Sequence, residues 1–177
     1  VHAFEPVPEH RECFQLNVIE PDLIEIGNPR AVLHACALGD HEGTVSIETR
    51  PTSSGDSRVD ASPACVNTHR SDSTEAGLGD IASNVPERPV CPLKTLDSFG
   101  LQFVDFIKLD CEGYEYFALR GGEQTIKRDL PTIIVEQKPG RGQHFGLRER
   151  QAVEWLQREV GYKCVAEMAG DFVMVPG

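Results

Sequence analysis

The stretch Val104-Asp105-Phe106-Ile107-Lys108-Leu109-Asp110-Cys111-Glu112-Gly113-Tyr114-Glu115 constrains the fold more than any other part of the chain. A short apolar run stops at three carboxylates, Asp110, Glu112 and Glu115, set around Gly113, and a helix-like pattern begins there. That order reads as a buried strand over residues 104–109 feeding an acidic loop. In an open α/β sheet, ligands collect beyond the carboxyl ends of the strands, near the point where strand order reverses. Asp110 is therefore expected to face a pocket.

A second junction of the same kind opens the chain, where Val1-His2-Ala3-Phe4 runs into Glu5-Pro6. Proline cannot prolong a strand's ladder, so a strand is expected to end at Glu5. An acid closing a strand of a nucleotide-binding βαβ unit can accept hydrogen bonds from ribose hydroxyls; a solvent-exposed acid is the plainer alternative. Residues 130–136 form a third such strand, ending at Glu136 and followed by a glycine-bearing loop over 138–146.

The rest of the pattern alternates strands and helices, which points to an α/β fold. Residues 8–19 read as a crossover helix with Pro8 in its first turn and Cys13, Phe14, Leu16 and Ile19 roughly on one side. Residues 31–38 read as a second buried strand, and 43–48 as a more exposed one after a turn at 39–43. From 50 to 89 the chain is rich in Ser, Asp, Pro, Gly and Thr, so a long loop is expected, either a substrate lid or a disordered insertion. Residues 147–160 carry Val153, Leu156 and Val160 at helical spacing, and 162–168 with 171–175 read as an antiparallel hairpin around Ala169-Gly170.

At 177 residues, with 40% hydrophobic and 25% charged, the chain fits a single domain, 1–177, that can bury a substantial core. Its net charge of -11, with 17 scattered Lys and Arg, argues against a nucleic-acid partner, because neutralising phosphates needs clustered cations. A small neutral or cationic substrate is easier to accept. The six cysteines form no Cys-x-x-Cys pair and read as free thiols, which suggests a reducing compartment, the cytoplasm. No apolar run is long enough for a membrane span.

Taken together, Ala3-Phe4-Glu5-Pro6, Asn17-Val18, Ala37-Leu38-Gly39, Thr95-Leu96-Asp97 and the run from Lys108 to Glu115 resemble the FkbM family of S-adenosylmethionine-dependent methyltransferases. Gly121-Gly122 and residues 131–136 continue a likeness that covers nearly the whole chain, and its most specific piece is Ile-Lys-Leu-Asp-x-Glu-Gly-x-Glu from Ile107 to Glu115. The resemblance implies a Rossmann-like class I methyltransferase fold, an α/β fold with a mostly parallel sheet and a C-terminal antiparallel hairpin. It also implies O-methyl transfer from S-adenosyl-L-methionine to a hydroxyl of a sugar, glycan or secondary metabolite. Under it Glu5 holds the cofactor ribose; Ala37 and Leu38 could line the adenine, with Asp40 accepting from its amino group, and simple turn residues are an equal alternative for these three. Asp110 sits at the methyl end as cofactor ligand or general base, and Glu136 is a second candidate base.

Such enzymes begin with a strand and a glycine-rich turn that wraps the methionine part of the cofactor, whereas no Gly-x-Gly-x-x-Gly occurs here and the first residue is valine. The chain is expected to start on the second strand, which would leave strand edges unpaired and half of the cofactor site unbuilt. A non-catalytic nucleotide-binding module and a dinucleotide-binding Rossmann enzyme are the competing readings. Glu112 and Glu115, expected in the first turn of a helix, suit a structural role as well as a catalytic one, and Lys108 is expected to pair with an acid. Asp110, Glu112 and Glu136 could instead converge on magnesium or calcium, although a metal-free site is the favoured reading. No histidine follows Glu136 directly, since Gln137 and Lys138 come next and His144 lies further along.

Overall fold

The structure is a computed structural model that describes residues 1–27, 30–48, 58–59 and 89–177. The expected loop over 50–89 lies outside the described residues, apart from Arg58, Val59 and Pro89.

Strand β1 (His2–Phe4) stops before Pro6, and helix α1 (Pro8–Phe14) starts with proline in its first turn, both as the sequence predicts. The helical path does not end at residue 19. It passes through a π-helical stretch, Gln15–Ile19, into α2 (Glu20–Ile26), and closes at Gly27 with φ 71°. Pro21 explains the wide turn: it has no N–H to give Asn17's carbonyl, and the ladder shifts so that Glu20 N–H donates to the Gln15 carbonyl five residues back. The rotation this adds exposes Leu16 and leaves Ile19 buried, so the expected single apolar side is not kept.

The strand expected over 31–38 is two strands. A tight turn, Cys36 N–H to the His34 carbonyl at 3.0 Å, separates β2 (Val32–His34) from β3 (Ala37–Leu38). β2 pairs in parallel with β1, whereas β3 joins a sheet of order β3-β6-β4-β5, made with β4 (Gly43–Glu48), β5 (Arg58–Val59) and β6 (Val90–Lys94). The third sheet has the order β7-β8-β10-β9, from β7 (Phe106–Leu109), β8 (Thr132–Glu136), β9 (Tyr162–Met168) and β10 (Asp171–Pro176). Its C-terminal hairpin is as expected, turning through Ala169 at φ 53° and Gly170 at φ 94°.

The sheets are mixed, which corrects the expectation of a mostly parallel arrangement. β1–β2, β3–β6 and β7–β8 are parallel; β4–β5, β4–β6, β8–β10 and β9–β10 are antiparallel. The short connection between β9 and β10 leaves no room for the crossover that a parallel neighbour needs. β7 also differs from the buried strand expected, since Phe106 is 54% exposed and Leu109 is its buried member. The cause is its place at the sheet edge: among the described residues β7 pairs with β8 alone, as β1 pairs with β2 alone.

Helices α3 (Glu115–Arg120), α4 (Glu123–Asp129) and α5 (Gln151–Trp155) pack with the third sheet around Leu109, Leu119, Ile126, Ile133, Leu156 and Met174. A second cluster gathers Val7, Ala37, Ile47, Leu93 and Tyr114, and Cys111 packs against both. Gly121 lets the turn between α3 and α4 lie directly on the Gly39 carbonyl, where any Cβ would collide with backbone. Asp97 then accepts from the Gln124 and Thr125 amides at 3.0 and 2.8 Å, supplying acceptors that the first turn of α4 lacks.

Just ahead of β7, the Asp129 carboxylate takes the Val104 amide at 2.9 Å and pairs with Arg128. These bonds, Arg128's first, hold its carboxyl at about 2, below the usual 3.8. Between those values the unfolded chain binds a proton that the folded chain does not, so stability rises with pH through that window. Asp129→Asn is therefore expected to lower the Tm at pH 7 and to lose that deficit as pH falls from 3.8 toward 2. A deficit that stays constant across a pH series of thermal melts would contradict this account of Asp129.

Candidate functional site

The three sheets meet at a cavity of about 690 Å³ whose walls include residues of β1 and β7. Glu5 reaches it from the end of β1, Ala37 and Leu38 from β3, and Asp110 from the end of β7. Four of the five positions singled out in the sequence thus share one space. Glu136 does not line it, but its carboxylate lies within 4.8 Å of those of Asp110 and Glu112. His10, Cys13 and Tyr114 also line the cavity and were not singled out as site residues. His10 and Cys13 stand three apart on α1, a spacing that marks one helix face without saying which way the face turns.

The backbone around Glu5 is held by its own neighbours. Its Oε1 accepts the Val7 amide at 2.8 Å, Oε2 stands 3.6 Å from His10 Nδ1, and Arg11 donates to the Pro6 carbonyl at 2.7 Å. One oxygen therefore fixes the turn into α1 while the other stands beside His10, which also lines the cavity. Asp40 does not line the cavity; its carboxylate contacts His41 Nδ1 at 2.7 Å, the plain turn role. His144 is exposed in a short turn and does not line the cavity either.

At the ends of β7 and β8 acids and bases alternate. Lys108 Nζ lies 2.9 Å from Asp171 and 3.9 Å from Asp110, as expected of a lysine seeking an acid. Lys138 Nζ lies 2.6 Å from Glu136, and Arg141 2.8 Å from Glu112. The bond to Glu136 is the main reason the Lys138 ammonium titrates above its usual range. The three acids are near enough to share a divalent ion, yet an ion settling between them would have to displace these cationic heads. Gln137, which follows Glu136, accepts the Ala152 and Val153 amides with its side-chain oxygen and so starts α5.

The loop after Asp110 is tightly set. Glu112 adopts φ 54° and Gly113 φ 102°, and a Cβ at Gly113 would sit 2.6 Å from the Arg141 carbonyl. Glu112 therefore belongs to the loop and not to a helix's first turn as expected; α3 begins at Glu115. Glu115 is 1% exposed, and its Oε1 accepts both the Cys111 amide at 2.9 Å and the Gly113 amide at 3.0 Å. Its Oε2 is buried and has no hydrogen-bond partner among the described residues. Burial raises the Glu115 carboxyl above the usual range against the pull of these amides, and it raises the Tyr114 phenol to about 12. Tyr114 is thus a neutral hydroxyl at the cavity wall.

With this geometry in place, comparison with known proteins is informative. The sequence profile described as a methyltransferase FkbM domain matches residues 1–164. The chain belongs to the FkbM methyltransferase family. A crystal structure of methyltransferase FkbM from Methylobacillus flagellatus KT is similar in fold, with a TM-score of 0.54 and 15% identity. The match covers 98% of this chain and 35% of that one, so this FkbM domain spans about a third of that protein's length. No curated protein matches the sequence. Among the described residues no helix is long and apolar enough to cross a membrane.

The pairing of Glu136 with Lys138 can be measured in the FkbM domain. Glu136→Gln removes the charge that holds Lys138 protonated, so the lysine's pKa is expected to fall toward its ordinary 10.5, read by NMR titration of its side chain. An unmoved Lys138 titration would rule out the pair.

Proposed function

We propose that this domain takes part in S-adenosylmethionine-dependent O-methyl transfer to a hydroxyl of a small molecule, a sugar, glycan or secondary metabolite, with no nucleic-acid partner. The observation that carries the reading is the convergence of Glu5, Ala37, Leu38 and Asp110 on one cavity, in a chain of the FkbM family. The cavity's volume falls in the range of roughly 300–1,000 Å³ spanned by small-molecule sites. Its walls suit an adenosyl group, having apolar surface at Ala37 and Leu38 and carboxylates at two separated points.

The sign and placement of the groups also fit. Glu5 would hold the ribose hydroxyls through Oε2, while Oε1 stays on the Val7 amide and keeps the carboxylate in one orientation. Ala37 and Leu38 would pack on the adenine. S-adenosylmethionine, when bound, supplies a methyl carbon already activated by its sulfonium. The chain's task is to align an acceptor hydroxyl, exclude water and take up the hydroxyl proton. Asp110, at the mouth beside Lys108, would accept that proton; Glu136, close by and paired with Lys138, would support it as the second candidate base.

We also infer a Rossmann-like relation between the β1–β2 and β7–β8 pairs, since both are parallel and both carry acids at their carboxyl ends. Free thiols at Cys13, Cys36, Cys91, Cys111 and Cys164 support a reducing compartment, and the cytoplasm is the proposed location.

The test is Asp110→Asn in the full-length protein. Methyl transfer to its acceptor is expected to fall by about 10²–10⁴-fold while thermal stability changes little, because Asp110 is half exposed. Unchanged turnover would remove Asp110 from the chemistry. A protein that binds the donor and transfers nothing would instead be the silent nucleotide-binding module.

A further inference from the structure

A carboxyl group is an uncommon thing to bury, and Glu115 is 1% exposed. Its Oε1 draws in two consecutive-turn amides, those of Cys111 and Gly113, at 2.9 and 3.0 Å. Between those two amides lies Glu112 at φ 54°, and Gly113 follows at φ 102°, both in the left-handed region. Such a backbone persists only where surrounding contacts over-determine it. From the other side, Gly113 is pressed against the Arg141 carbonyl so closely that a Cβ could not fit. The residue directly ahead of this clamp is Asp110, and the residue inside it, Cys111, packs against both apolar clusters.

We propose that Glu115 is a positioning residue: by holding the Cys111 and Gly113 amides it sets where the Asp110 carboxylate stands in the cavity, without itself touching donor or acceptor. This rests on the methyl-transfer reading of the site. Glu115 does not line the cavity, whereas Asp110, Cys111, Glu112 and Tyr114 all do, so its influence passes through the loop. The work of Glu115 is done by an acceptor oxygen, Oε1, and among the described residues Oε2 has no partner. An acceptor of the same shape should therefore serve in its place, while an apolar side chain of the same bulk should not.

The experiment uses the full-length protein with E115Q, E115L and the double variant D110N/E115L. E115Q keeps the acceptor oxygen and is expected to retain turnover within a few-fold of wild type. E115L is expected to lose roughly 100-fold in kcat, the scale of a displaced catalytic group. In the D110N background the same leucine should cost almost nothing more, because a residue acting through Asp110 has nothing left to position. Hydrogen exchange of the Cys111 and Gly113 amides, read alongside, should be slow in wild type and E115Q and fast in E115L. If E115L does not fold, E115M, a flexible side chain of similar length, takes its place.

A full additional loss in D110N/E115L would overturn the proposal, since an effect that adds to that of D110N does not pass through Asp110. Amides of Cys111 and Gly113 that stay protected in E115L would overturn it too. If the methyl-transfer reading fails, wild-type turnover is absent; the exchange of these two amides still decides whether Glu115 holds the loop.

Discussion

Where β7 ends inside the molecule, its chain must turn at once, and the amides of that turn need acceptors that water cannot supply. One oxygen of Glu115 takes two of them. With these amides satisfied, Leu109 can stay buried in one cluster, Cys111 can touch both, and Asp110 can remain half exposed at the cavity. The left-handed backbone at Glu112 and Gly113 gives the turn its tightness, and the Arg141–Gly142 backbone closes it from outside. Carboxylates elsewhere near this turn pair with cations, whereas Glu115 Oε1 is held by backbone amides, and burial pushes the Glu115 titration upward against their pull.

The cavity follows from how the sheets are divided. Among the described residues β1 and β7 each leave one edge open, and the second sheet approaches through β3 and β4, so three separately paired pieces border one space. The local means differ on each side. At β1 a proline stops the strand and Glu5 secures the turn into α1. At β7 a buried acid does the corresponding work from the following helix. Both put a carboxylate at a strand's carboxyl end, where peptide groups are no longer occupied by pairing.

Much of this was readable in the residues. Pro6 and Pro8 fixed the end of β1 and the start of α1 through the missing N–H, and Ala169-Gly170 marked the hairpin because such a turn needs positive φ. The acids closing the strands were visible for the same reason: period and polarity change together. The division of 31–38 into β2 and β3 was not visible, because an apolar run of eight does not reveal a turn closed by one amide. Nor was the balance of antiparallel pairs, which depends on partners far apart in sequence. Pro21 was in plain view, yet its effect on the turn before it was not drawn, and the three-residue spacing of His10 and Cys13 on α1 does not say which way their face turns. Glu115 was read as a helix-start acid, which it is, but burial of a carboxyl is a property of its surroundings.

The claim beneath all of this is that the Glu5 and Asp110 ends of two open-edged strands form one adenosyl-binding space. Calorimetric titration of the full-length protein with S-adenosylmethionine, wild type against Glu5→Gln, tests it most directly. Glu5→Gln keeps an oxygen for Val7 and withdraws the charge offered to the ribose, so affinity should drop by about ten-fold or more. Equal affinities for the two proteins, or no binding to either, would contradict the account.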